Sequence, residues 1–258
     1  MRIMTSNIWG DYFGNPVDIR KDNLCRVFAE FTPDVIGLQE VTPSWHKSGL
    51  LEELSKNYFL IHTNLNEFSN YVPLAVNKKY TVLSTGYEPL DDTPDKSKGI
   101  TFAVIQDGDN IFGVCNTHFW YMHGAPEHDL LREKNAYQLI ALIKKIRAEY
   151  NCPVFAFGDL NCNFSSSVFS TVFADNNIVA LINSAEQKDT VCSIHGDPVA
   201  DQNGIYHGKK TERDYLKSID HIIALAPEIT VKNYRVIENQ YALDFSDHSP
   251  VFADVNFK

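Results

Sequence analysis

No CxxC spacing joins the five cysteines, Cys25, Cys115, Cys152, Cys162 and Cys192, which are odd in number and scattered through 258 residues. That argues against a disulfide framework and leaves zinc no cysteine cage, so the thiols read as free. Basic charge is also short: 23 Lys and Arg stand against 33 Asp and Glu, a formal net charge of −10. Proteins that grip long nucleic acid draw most of their affinity from phosphate neutralisation, so a broad electropositive surface is excluded. A local patch is left at Lys209, Lys210, Arg213 and Lys217, but Glu212 and Asp214 interrupt it, and a solvated loop is the plainer reading. No apolar run is long enough to span a bilayer, and Met1-Arg2-Ile3 leads into strand-like sequence without a signal-peptide pattern, which points to the cytoplasm. Without export, the glycosylation spacing at Asn163-Phe164-Ser165 is a chance match. There is no repeat, low-complexity tract or linker, so residues 1–258 read as a single domain, 44% hydrophobic and long enough to bury a large core. Nothing signals an obligate protein partner.

What is present is an alternation of strands and helices. Arg2–Trp9, Val35–Gln39, Val72–Val76, Tyr80–Tyr87, Gly99–Gln106, Ile111–His118, Pro153–Gly158, Ile219–Leu225, Thr230–Ile237 and Val251–Phe257 have the β-branched and aromatic content of strands. Helices fit Val17–Glu30, Pro43–Lys56, Pro126–Tyr150 and Ser166–Ala174; the third places Ala136, Leu139, Ile140, Ile143 and Ile146 on one face as a core stripe. Asn77-Lys78-Lys79 and Asp107-Gly108-Asp109-Asn110 read as hairpin turns. Many strands with few helices suit an α/β sandwich, two packed sheets with helices outside, better than a doubly wound parallel sheet. Residues 88–98 and 184–217 read as long polar loops of the kind that shape a binding rim or are disordered.

Polar residues recur where the apolar runs end. Asn7 follows the first strand, Gln39-Glu40 ends the second, Asn116-Thr117-His118 ends Ile111–Cys115, and Gly158-Asp159-Leu160-Asn161 ends Val154–Phe157. Asp220 lies in Ser218-Ile219-Asp220-His221, and Asp247-His248 precedes the last strand. Neighbours on a strand point to opposite faces, so Asp247 and His248 reach one site together only from an irregular strand entrance. Singly, each residue has an ordinary reading: Glu40 as a helix cap, Asn7 and Asn161 as turn residues, His118 as a core imidazole, Asp159 as a turn start. Jointly, several carboxylates with two asparagines and two histidines suit a hard, oxygen-bound divalent cation with a phosphate beside it.

The strings Ser6-Asn7, Leu38-Gln39-Glu40, Thr117-His118-Phe119, Gly158-Asp159-Leu160-Asn161, Ser218-Ile219-Asp220-His221 and Ser246-Asp247-His248-Ser249-Pro250-Val251 stand in the order found in the endonuclease/exonuclease/phosphatase superfamily. The sequence resembles that superfamily of Mg²⁺-dependent phosphoesterases over nearly its whole length. The resemblance implies a four-layered α/β sandwich: two packed mixed sheets flanked by helices. It implies Mg²⁺, with Mn²⁺ as a substitute, held mainly by Glu40 with Asn7 and Asp247 near the metal. It further implies that Asp159 orients the attacking water, Asn161 holds a phosphate oxygen, and Asp220 fixes the tautomer of His248, which polarises the phosphate. His118 stands where abasic-site endonucleases of the superfamily have tyrosine, and general acid to the leaving oxygen is a role it suits.

The implied reaction is hydrolysis of a phosphoester by in-line attack of water, with a phosphodiesterase or nuclease activity foremost. The alternative is a small-molecule phosphatase or a lipid-headgroup phosphodiesterase, resembling the sphingomyelinase and inositol-phosphatase branches. A non-catalytic binding module is disfavoured because every position of the set is filled. Net acidity favours a small molecule or short nucleic acid as substrate. Trp120 and Tyr121, in an aromatic loop after His118, are candidates for stacking against it or equally for packing within the loop, and Arg132 is a candidate for reaching a phosphate, although its acidic neighbours favour a structural ion pair. His123, His128, His195 and His207 read as surface residues, and His221 as structural.

Overall fold

Period-two burial sets the architecture in this computed structural model, which describes residues 1–63, 71–211, 214–225 and 229–257. The strands are β1 (Arg2–Asn7), β2 (Val35–Gln39), β3 (Tyr58–Ile61), β4 (Leu74–Asn77), β5 (Thr81–Pro89), β6 (Gly99–Asp107), β7 (Asn110–His118) and β8 (Val154–Asp159). They continue through β9 (Val179–Ala180), β10 (Gln187–Lys188), β11 (Val199–Ala200), β12 (Tyr206–His207), β13 (Asp220–Leu225), β14 (Ile229–Val236) and β15 (Val251–Phe257). One mixed sheet has the order β10-β14-β15-β1-β2-β4-β3 and the other β5-β6-β7-β8-β13-β9, with β11-β12 a separate ribbon. Among the helices, α1 (Asp18–Phe31), α2 (Pro43–Lys47), α3 (Leu50–Ser55) and α5 (Gln240–Phe245) cover the first sheet, and α4 (Pro126–Tyr150) covers the second. The result is helix, sheet, sheet, helix: the four-layered sandwich.

The two hydrophobic clusters explain the layering. On β1 and β2, Ile3 and Val35 join the cluster between the sheets, while Met4, Ile36 and Leu38 pack outward against Leu24, Val27 and Phe28 of α1 and Trp45 of α2. Each large aliphatic side chain so buried contributes about 1.5–3 kcal/mol. Helix α4 begins at Pro126, whose missing N–H costs nothing there, and stops at Asn151, which takes a left-handed φ of 47°. Its stripe Ala136, Leu139, Ile140, Ile143 and Ile146 is buried, as its helical spacing requires. No helix of the described residues is long and apolar enough to cross a membrane.

Several elements differ from the sequence reading. The helix expected over Pro43–Lys56 is two, because Gly49 turns the chain with φ 81° between α2 and α3. Asn77-Lys78-Lys79 does not make a hairpin: β4 pairs with β2 and β3, whereas β5 crosses to the other sheet and pairs with β6. Asp107–Asn110 does close the β6–β7 hairpin, with Gly108 at φ 58°. Tyr58–Ile61 forms a strand that was not expected, and the Ser166–Ala174 helix is a single π-type segment over Val168–Phe173. Glu212 and Arg213 lie outside the described residues, and Lys210 pairs with Glu238 at 3.7 Å.

Candidate active site

Alternation that buries apolar side chains between the sheets also delivers polar ones to the same cleft where the strands end. Asn7 ends β1 in register with Gln39 at the end of β2, and His118 ends β7 in register with Asp159 at the end of β8. Asp220 opens β13 directly across from Asp159. One row therefore carries His118, Asp159 and Asp220. Beneath it, Gln39 donates to Asn116 Oδ1 at 2.6 Å, and Asn116 donates to the carbonyls of Leu38, Val72 and Pro73, so the polar layer is satisfied where the sheets meet. Gly158 makes the row possible: its φ is 149°, and a Cβ there would lie 1.9 Å from the Thr117 carbonyl oxygen.

Asp159 is the hub. Its Oδ1 accepts from the Asn161 backbone N–H at 2.9 Å, and its Oδ2 accepts from Asn7 Nδ2 at 3.0 Å. The same oxygen lies 3.4 Å from His118 Nε2 and 4.0 Å from His248 Nε2. Asn7 Nδ2 also donates to Glu40 Oε1 at 3.0 Å, while Glu40 Oε2 accepts from the Gly10 N–H at 2.8 Å. Glu40 and Asn161 both hold left-handed backbone, φ 63° and 50°, the sparsely populated conformation that clusters at functional sites. On the far side, His248 Nδ1 lies 2.8 Å from Asp220 Oδ2, which also accepts from Ser193 Oγ at 2.7 Å.

Asp247 and His248 reach the cleft from the irregular segment between α5 and β15, with Asp247 Oδ2 3.9 Å from His248 Nε2. Ser246 Oγ pins that segment to β1 by donating to the Asn7 carbonyl at 2.7 Å. The backbone N–H groups of His195 and Gly196 donate to the Asp247 carbonyl, and that of Ser249 to the Ser193 carbonyl. Arg20, fully buried on α1, donates to the carbonyls of Ile8 at 3.0 Å, Trp9 at 2.7 Å and Phe245 at 2.6 Å, tying the exit of β1 to the chain just before Asp247.

The electrostatics separate the two histidines. Burial opposes the charge on His248, but Asp220, Asp247 and Asp159 together hold its proton well above the ordinary imidazole range. Burial, with Lys98 and His248 nearby, pushes His118 well below that range, so its contact with Asp159 is one of a neutral ring and not an ion pair. Burial and facing Asp220 raise the carboxyl of Asp159, while His248 and Lys98 counter the rise. Burial likewise raises Asp247, and Glu40 adds to it.

The profile of the endonuclease/exonuclease/phosphatase family matches residues 4–248. The chain belongs to this family. No curated protein matches it by sequence. Among solved structures, an endonuclease/exonuclease/phosphatase from Bacteroides vulgatus is 24% identical with a TM-score of 0.77, covering 100% of this chain and 98% of that one. The mannosyl-6-phosphatase Bt3783 of Bacteroides thetaiotaomicron is 17% identical with a TM-score of 0.74 over 100% of both chains. Truncated Caenorhabditis elegans TDP2 is 18% identical with a TM-score of 0.71, covering 100% of this chain and 97% of that one. At these identities the likeness speaks for the fold.

Enzymes of the endonuclease/exonuclease/phosphatase family hydrolyse phosphoesters and generally depend on a divalent cation. The donor set here fits one. Glu40 stands near enough to press like charge on Asp247, and the donors of both are hard oxygens. Asp159, Asp220 and His248 also offer ligand atoms within 4.8 Å of one another, but His248 Nδ1 is already engaged with Asp220 Oδ2 at 2.8 Å. Asn7 turns its amide nitrogen toward Glu40 and Asp159 and keeps its oxygen on the Trp9 N–H at 3.0 Å, so it orients carboxylates directly.

Trp120 and Arg132 find partners within their own loop and helix, in line with the packing and ion-pair readings of the sequence. Trp120 is 6% exposed and donates its indole N–H to His128 at 3.0 Å; Arg132 is 4% exposed, binds the carbonyls of Trp120 and Met122, and pairs with Asp129. Both hold the loop in shape. Tyr121, 52% exposed, is the member of the trio that the loop presents to solvent. His195 is not on the surface: it is 7% exposed, and neither ring nitrogen has a partner among the described residues. His221 is engaged away from the catalytic row: its Nε2 lies 2.9 Å from the Cys162 carbonyl oxygen, and its ring packs against Phe164 and Phe169. Sequence reasoning missed Ser193, inside the long polar loop 184–217, and Lys98, the last residue before β6.

Proposed function

We propose that this chain is a Mg²⁺-dependent phosphoester hydrolase, with Mn²⁺ able to substitute, acting on a small molecule or short nucleic acid, with phosphodiesters foremost. The observation that carries the reading is the continuous chain of contacts from Glu40 through Asn7 to Asp159, and from there past His248 to Asp220. Glu40 and Asp247 would hold the cation, with Asn7 fixing Glu40. When bound, the cation supplies electrostatic stabilisation for the charge that builds on the phosphoryl oxygens.

Asp159 orients the attacking water and accepts its proton; its raised affinity for protons, caused by burial and Asp220, makes it a stronger base than a solvated carboxylate. His248 presents a charged Nε2–H to the phosphate while Asp220 keeps Nδ1–H fixed, a geometry set before substrate arrives. Asn161 donates one side-chain hydrogen to the Phe119 carbonyl at 3.2 Å and has a second for a phosphate oxygen. His118, a ring held neutral by burial with its Nε2 3.4 Å from Asp159 Oδ2, does not suit the general acid's role. The protonated imidazole of the site is His248.

The acidic surface, −10 overall, supports small or short substrates. The same charge favours the second reading, a small-molecule phosphatase or lipid-headgroup phosphodiesterase, and the fold neighbours include both a mannosyl-6-phosphatase and TDP2. Five free thiols suit the cytoplasm. The test is a metal-dependent panel of bis-p-nitrophenyl phosphate, p-nitrophenyl phosphate, single- and double-stranded DNA, RNA and a phosphosphingolipid, with chelator controls. Turnover of diester with Mg²⁺ supports the reading, turnover of the monoester alone removes the diester preference, and none on any ester with Mg²⁺ or Mn²⁺ overturns it.

A further inference from the structure

Lys98 is 5% exposed, and its ammonium makes no hydrogen bond or ion pair with any described residue. Burying a charge without a hydrogen-bonding or ionic partner is costly, so an unpaired buried lysine calls for a reason. The backbone around it is anchored: Lys98 N–H donates to the Asp95 carbonyl at 3.3 Å, and the Lys98 carbonyl accepts from Leu90 at 3.1 Å. The next residue, Gly99, accepts through its carbonyl from Thr117 Oγ at 2.9 Å, which places Lys98 beside the strand end that carries His118. Its Nζ lies 5.6 Å from the ring centroid of Tyr121, the exposed aromatic of the neighbouring loop. The acids that act on it most are Glu40 and Asp159, ahead of Asp95, whose Oδ1 already accepts from Ser97 N–H and Oγ. Lys98 therefore faces the same cleft as the catalytic row, below Tyr121 and without a dedicated counter-ion.

We propose that Lys98 is a substrate-binding residue whose ammonium takes a non-bridging oxygen of the substrate's phosphate, with Tyr121 standing over it at the mouth of the cleft. The proposal rests on the phosphoester reading above and adds to it a cationic side chain at the phosphate. Glu40 and Asp159 are occupied by Asn7, Gly10 and Asn161 and have their own tasks, so an incoming phosphate is the anion that completes the lysine. A charge-assisted hydrogen bond is short and directional, which would seat the phosphate against His248 and Asp159.

The test uses the full chain with Lys98→Met, which keeps length and removes charge, and Lys98→Arg, which keeps charge. Titration calorimetry with inorganic phosphate in the presence of Mg²⁺ reads binding without turnover. Thermal melting and Mg²⁺ titration read the alternatives. Lys98→Met should bind inorganic phosphate at least about tenfold more weakly, the weight of one hydrogen bond to a charged group. It should melt no lower than the parent, because an unpaired buried charge has been removed, and it should bind Mg²⁺ no more weakly, because a nearby positive charge is gone. Lys98→Arg should recover part of the phosphate affinity. Phosphate binding by Lys98→Met within about twofold of the parent overturns the proposal. So does a lower melting temperature or weaker Mg²⁺ binding with phosphate affinity kept, since Lys98 would then be a structural counter-charge. Failure of the parent to hydrolyse any phosphoester overturns the functional reading instead, and the calorimetric result reads Lys98 apart from it.

Discussion

Asp220→Asn probes the pair that holds the proton of the site. Asp220 Oδ2 meets His248 Nδ1 at 2.8 Å and Ser193 Oγ at 2.7 Å in a buried setting, and the amide is nearly isosteric, so the shape survives while the charge goes. A hydrogen bond to a buried charged group is worth about 1.5–3 kcal/mol. One pKa unit corresponds to about 1.36 kcal/mol, so the His248 imidazole should become more acidic by about one to two units. The assay is a pH–rate profile on whichever ester is turned over, with an NMR titration of the His248 ring. The alkaline limb should move to lower pH by the same amount, and turnover near neutrality should fall by about 10²–10⁴, the usual weight of a positioned acid–base group.

Stability follows with a defined sign. The folded His248 holds its proton more tightly than the unfolded chain does. Its contribution is therefore fully present below the unfolded pKa of about 6.5 and is lost as pH rises through the folded value. The melting deficit of Asp220→Asn should be larger at pH 6 than at pH 9. An alkaline limb and a His248 titration that do not move would refute the assignment of Asp220 as the partner that fixes the imidazolium.

Three further outcomes are expected. Glu40→Gln should weaken Mg²⁺ binding by about 10-fold to 100-fold or more in calorimetry while leaving the fold intact, since it halves the charge offered by Glu40 and Asp247; unchanged affinity would move the cation elsewhere. Gly158→Ala puts a Cβ 1.9 Å from the Thr117 carbonyl in the middle of the His118–Asp159 row, and should cost about 3 kcal/mol or more in chemical denaturation. Arg132→Met frees the carbonyls of Trp120 and Met122 and should cost about 1.5–3 kcal/mol in melting experiments, whereas a variant of parental stability with impaired substrate binding would restore Arg132 to the substrate.

The strand-end polar residues were legible because one rule produces both the core and the cleft. Alternation sends Ile3, Thr5 and Asn7 to the face that Val35, Gly37 and Gln39 share, so the apolar start and polar end of each run already describe a layer and its rim. Less legible were features that depend on tertiary crossing. The Asn77–Tyr80 turn looks local yet carries the chain from one sheet to the other, and nothing in its residues distinguishes that from a hairpin. Trp120 and Arg132 have the chemistry of substrate contacts, but their partners, His128 and two backbone carbonyls, are fixed only when the loop folds back on α4. Ser193 and Lys98 sit in segments whose composition reads only as long polar loop. A buried serine or lysine there carries no periodic signal, and each is placed by a neighbour far along the chain: Asp220 for Ser193 and Tyr121 for Lys98.

In the proposed mechanism Glu40 and Asp247 hold a divalent cation on one side of Asp159 while Asp220 and His248 hold a proton on the other. A crystal of the parent soaked in Mn²⁺ and measured at the manganese absorption edge tests it most directly. The expected result is an anomalous peak bonded to carboxylate oxygens of Glu40 and Asp247, with His248 Nδ1 still on Asp220. A peak ligated by His248 together with Asp159 and Asp220, with Glu40 uninvolved, would contradict it.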